Sequence, residues 1–130
     1  MALSLAAAVP SFTAKFRVFV KVNDAAVRAG AYLNEVDETG VPIVTFNDGG
    51  PQWLYYCGRK GWILSPKGPL AEDAALFASL VEKYEAGGAR YFVVDMNYYG
   101  LMSDDVQKYL DDAHERLTLG EGFAVWRLRP

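Results

Sequence analysis

The stretch from Glu72 to Asp95, EDAALFASLVEKYEAGGARYFVVD, decides the fold. Its first two thirds read as a helix. Ala75, Leu76, Ser79, Leu80, Lys83 and Tyr84 trace one face, and Phe77 and Val81 widen it. Glu72 and Asp73 complement the positive end of the helix dipole, and Gly87-Gly88 stops the helix. Arg90 to Asp95 then reads as a strand. It has almost no polar member, as a strand covered on both faces requires. A helix feeding such a strand is the second half of a parallel crossover unit.

The same alternation extends in both directions. Upstream, Asp24 to Glu38 reads as a helix, with Ala25, Val27, Ala29, Tyr32, Leu33 and Val36 as its apolar stripe and Gly40 closing it. Pro42 to Phe46 reads as a strand. Asn47-Asp48-Gly49-Gly50-Pro51 has turn chemistry at every position. Gln52 to Arg59 is aromatic-rich and short enough for one or two helical turns, and Gly61 to Leu64 reads as a second strand. Downstream, Met102 to His114 is a helix capped by Ser103, with Val106, Tyr109, Leu110 and Ala113 facing inward. Two apolar runs around Gly120-Glu121-Gly122 give a hairpin with a three-residue loop. The expected architecture is a small three-layer α/β sandwich, its sheet mainly parallel with a C-terminal antiparallel hairpin.

Composition bounds the function. The chain has 130 residues, 52% of them hydrophobic, and a formal net charge of −3. That length suits one domain, and the apolar fraction is too high for a disordered chain. Without a basic patch there is little to hold phosphate backbones, so no nucleic acid is expected as partner. One Cys excludes an internal disulfide framework and a Cys-rich zinc site. The opening Ala2 to Val9, ALSLAAAV, lacks the positive start of a secretory signal. It reads either as an N-terminal tail or as the end of a longer apolar helix. Phe12 to Val22 fits both a strand and a helix.

Tests for chemistry mostly fail. Cys57 and His114 are the sole Cys and His, but His114 falls at the end of an expected surface helix, where a cation suits the dipole. Cys57 reads as a small packing residue. NDGGPQW after the first strand matches no dinucleotide or nucleotide-phosphate fingerprint. A phosphoreceiver site would need a paired acidic cluster and a late Lys, which are absent. Asp104-Asp105 and Asp111-Asp112 splay apart on a helix surface and read as a solvated face. Neither a metal nor a cofactor is expected.

One topological rule does point to a site. In open parallel sheets, ligands bind beyond the carboxyl ends of the strands. That edge would carry Asn47, Asp48, Gly49 and Gly50 after one strand, and Asp95, Met96, Asn97 and Tyr98 after another. Asp48, Asp95 and Asn97 suit a hydroxylated ligand, with Trp53, Tyr98 or Tyr99 as stacking surfaces. The competing reading makes Asp48 and Asn97 simple turn and helix caps.

The most distinctive segment is Gln52 to Leu64, QWLYYCGRKGWIL. It resembles a stretch in the C-terminal soluble domains of polytopic membrane glycosyltransferases of the dolichyl-phosphate-mannose–protein mannosyltransferase type. Gly87 to Val94, GGARYFVV, and Gly120 to Trp126, GEGFAVW, are similar to later passages of the same domains. The resemblance spans roughly Asp24 to Arg129. It implies that residues 1–22 are a membrane-exit segment and 23–130 a single α/β domain, membrane-associated through a parent protein on its periplasmic or extracellular face. It also implies a non-catalytic accessory role, with the membrane-embedded part of the same protein and a lipid-linked sugar phosphate as partners. The family's catalytic residues lie in the membrane part, so no catalytic residue transfers to this chain. Tyr55, Tyr56, Arg59, Lys60 and Trp62 become candidates to face a sugar phosphate or anionic headgroups. Against this, Lys15, Arg17 and Lys21 would favour a cytoplasmic side. The alternative is a freestanding α/β module that binds a small hydroxylated or anionic ligand.

Overall fold

The computed structural model describes residues 24–120 and 122–129. The expectations for residues 1–22 lie outside the described residues. Residues 24–36 form α1. There follow β1 (Ile43–Phe46), α2 (Gln52–Cys57), β2 (Gly61–Leu64), a 3-10 turn at Pro69–Ala71, α3 (Ala74–Ala86), β3 (Tyr91–Asp95), α4 (Met96–Tyr99), α5 (Asp104–Ala113), β4 (Glu115–Leu119) and β5 (Phe123–Arg127). The strands make one five-stranded sheet in the order β2-β1-β3-β5-β4. β1 runs parallel to both β2 and β3, and β5 runs antiparallel to β3 and β4. The expected α/β sandwich with a C-terminal hairpin is what forms.

Side-chain alternation along the strands divides the core in two. On one face Ile43, Tyr91, Val93 and Val125 pack under Ala26, Ala29 and Leu33 of α1 and Trp53 and Cys57 of α2. On the other, Val44, Phe46, Phe92, Val94 and Trp126 pack under Phe77 and Val81 of α3 and Val106 and Leu110 of α5. The fully buried Trp126 keeps its indole satisfied, Nε1 donating to Asp111 Oδ1 at 3.0 Å. The chain steps from β1 to β2 through α2 on one face. It returns across β1 to β3 through α3 on the other. Opposite directions on opposite faces give both crossovers the same hand.

Three details differ from the sequence reading. The α3 stripe centres on Phe77 and Val81, flanked by Ala74 and Tyr84, and Leu76 is exposed. On α1 the expected Ala25, Ala29, Tyr32, Leu33 and Val36 do face the core, joined by Ala26, and Val27 lies outside. The α3 shift turns that helix by about one position, to which hydrophobic periodicity is indifferent when apolar residues flank the stripe. His114 is not on the surface. It is buried, and α5 ends there with Ala113 exposed.

Candidate functional site

The chain leaves β1 toward α2 on one face of the sheet and leaves β3 toward α5 on the other. The loops therefore diverge at the carboxyl edge between β1 and β3. This is the switch point at which open α/β sheets hold their ligands.

The wall on the β1 side is built by its own turn. Asn47 is fully buried. Its Oδ1 accepts the Gly49 N–H at 2.8 Å, and its Nδ2 donates to the Gly50 carbonyl at 3.2 Å. Asp48 is exposed, and its Oδ1 accepts the Gly50 N–H at 2.9 Å. Gly49 sits at φ 100, a conformation that favours glycine. A Cβ there would lie 3.5 Å from the Ser65 side chain, so the loops after β1 and β2 abut.

Asp95 ends β3 and caps α4, with its Oδ1 accepting the Asn97 N–H at 3.0 Å. It is only 8% exposed. Burial pushes its carboxyl above the ordinary carboxylate range; hydrogen bonds from the Asn97 backbone and the Trp53 side chain oppose this, and the nearby charge of Asp48 adds to it. No cation of the described residues is among the groups acting on it. A buried carboxylate is ordinarily paired, so this one is costly to keep ionised.

Two further polar atoms were not legible as site groups in the sequence. Thr45 is fully buried and its Oγ1 has no hydrogen-bond partner among the described residues. Thr45 pairs with Val93, two residues before Asp95 on β3, so both polar residues belong to the same face of the sheet. Gln52 Oε1 also lacks a partner, while its Nε2 lies 3.5 Å from Asp48 Oδ2. A hydroxyl in an apolar strand and an amide after a turn look like ordinary filler in the sequence.

Trp53, expected as a stacking surface, is 4% exposed and forms part of the floor. Tyr99 has one face already stacked on Trp126, with centroids 6.2 Å apart at 24°.

The eight residues picked from sequence fall at three places. Asp48, Asp95 and Asn97 meet at the carboxyl edge. Arg59, Lys60 and Trp62 belong to the opposite end, where Gly61 opens β2 beside Ile43, the first residue of β1. Arg59 is buried and spent on the protein itself. Its Nη1 donates to the Val41 carbonyl at 3.1 Å, and its Nη2 donates to the Asp37 carbonyl and to Asn34 Oδ1. It ties the end of α1 to the start of β1. Lys60 is exposed. Trp62 lies on the α3 face, stacked on Tyr84 with centroids 5.2 Å apart at 14°. Tyr55 and Tyr56 belong to α2 and meet edge-to-face at 5.2 Å. Tyr55 is 77% exposed, and Tyr56 packs on the core beneath α2.

Cys57 and His114 do not form a pair. Cys57 packs beneath α2, and His114 bonds Tyr109, which packs on the opposite face. Burial pushes the Cys57 thiol up to about 12, far from a reactive thiolate. Among the described residues no group of three His, Cys, Asp or Glu could hold a metal ion. Among the same residues no helix is long and apolar enough to cross a membrane. No known protein family, curated protein or solved structure matches the chain.

Proposed function

We propose that this chain is a non-catalytic sugar-binding domain that serves a membrane glycosyltransferase using a lipid-linked donor, and that it holds a hydroxylated ligand at the carboxyl edge between β1 and β3. The observation that carries the ligand site is Asp95, a buried carboxylate at the switch point on which no cation of the described residues acts. Sugar hydroxyls donate to carboxylates, and a ligand hydroxyl would relieve the desolvation that Asp95 bears in the free protein. Asp48 and the unpartnered Gln52 and Thr45 oxygens offer further acceptors at the same end of β1. The link to a glycosyltransferase rests on the resemblance of residues 52–64, 87–94 and 120–126.

A nitrogen-15 titration with neutral hexoses and with a short-chain polyprenyl-phosphate sugar tests the site. The expected result is movement of the Asp48, Asp95 and Asn97 amides and of the Trp53 indole. Movement confined to Lys60 and Trp62 would transfer the site to the opposite end of the sheet. The parent assignment is tested separately by the gene's full reading frame, in which several apolar spans should accompany this segment.

A further inference from the structure

His114 occupies a different part of the molecule, where both of its ring nitrogens are engaged. The backbone N–H of Arg129 donates to Nδ1 at 2.9 Å. Nδ1 therefore carries no proton, and the neutral ring holds its hydrogen on Nε2, which faces the Tyr109 hydroxyl at 3.0 Å. The residue is 5% exposed. It thus joins the end of α5 to the segment that leaves β5. That segment has one further backbone tie, the Leu128 N–H to the Arg90 carbonyl at 2.9 Å, and Leu128 is buried.

We propose that His114 is a proton-operated latch that holds Arg129 against the end of α5 when neutral and releases it when protonated. The geometry allows no graded response. A proton on Nδ1 would face the Arg129 N–H donor, so one of the two must move. Arg129 is the movable partner, because it is exposed, whereas Leu128 is held in the same core as Val106 and Leu110 of α5.

The charged surroundings are mixed. From α3, Glu82 acts on the ring in favour of its protonation, and Glu85 acts with Glu82 on Tyr109. Beside the ring, Arg129 opposes protonation. On β4, Glu115 follows His114 directly and pairs with Arg127 of β5 at 2.8 Å and with Arg129 at 3.8 Å. Arg90, beneath Leu128, is turned to the Glu85 and Ala89 carbonyls. Within this setting burial dominates and holds the ring below the ordinary value of 6.5. The latch is closed at neutral pH and opens on acidification.

The test follows the His114 ring by NMR from pH 8 to pH 5, alongside hydrogen exchange of the Leu128 and Arg129 amides corrected for intrinsic rates. Protection at the Arg129 amide should fall at least tenfold as the ring titrates, while the Leu128 amide and the core amides of β1 and β3 keep theirs. In His114→Asn, Oδ1 can still accept the Arg129 N–H but does not titrate, and protection should be flat with pH. Unchanged Arg129 protection in the wild type across the ring's titration would overturn the proposal. So would a loss shared equally by every core amide. If His114→Asn does not fold, the wild-type comparison of Arg129 with the core decides alone.

Discussion

At the scale of single residues, Asp95 combines a cost with a candidate role. Its folded carboxyl titrates above the ordinary value of 3.8. The native state therefore binds this proton more tightly than the unfolded chain does. The stability Asp95 contributes is full at low pH and is lost as pH rises through the raised value. Asp95→Asn removes the charge and keeps an oxygen to accept from Asn97 and Trp53. Its melting temperature at pH 7 should equal or exceed that of the wild type, while the response to sugar disappears. A fall of several degrees would mean that the carboxylate is structural. Cys57 carries the opposite expectation. With its thiol pushed up to about 12 and 4% exposed, it should resist a thiol reagent at pH 8 and react fully once denatured. The type of each residue was legible; its surroundings were not. Asp95 was picked because it follows a strand, whereas Arg59 was picked for a charge that the fold buries against carbonyls.

At the scale of elements, local chemistry and close approach set the boundaries. Ser103 caps α5 by accepting the Val106 N–H at 3.2 Å, and Asp73 caps α3 by accepting that of Leu76 at 3.1 Å. Ser103→Ala should cost about 1 kcal/mol in denaturant unfolding, the usual loss for a removed N-cap. The Ser103 cap was readable, since Ser before an apolar periodic run is a start signal, whereas Asp73 reads only as a charge complementing the dipole. The single turn α4 was not, because MNYY is too short to show a period. Gly61 reads as the first residue of the second strand, which it is. A Cβ there would fall 1.7 Å from the Ile43 carbonyl oxygen across the β1–β2 pair. Gly61→Ala must part the two strands. It should cost at least about 3 kcal/mol, the upper end for overpacking. Wild-type-like unfolding of that variant would contradict the pairing.

At the scale of the whole molecule, acid stability depends on a group that the sequence placed at the surface. His114 is held below its ordinary 6.5 by burial, so its contribution is full above that value and declines as pH falls below it. Unfolding free energy should drop from pH 7 to pH 5, and His114→Asn should flatten that slope; a slope unchanged in the variant would assign it elsewhere. The sequence by itself determined the order and kind of the main elements, the apolar β3 at the centre and the closing hairpin. These follow from local periodicity, caps and turn residues, which act over a few positions. Only the tertiary structure decided which polar groups meet. Asp48 and Asp95 are 47 positions apart and share an edge because β1 and β3 pair in parallel. Asp48 and Lys60 are 12 apart and lie at opposite ends, because α2 carries the chain back along the sheet. Strand pairing and helix direction are set by burying both faces of one sheet, a property of the assembled chain.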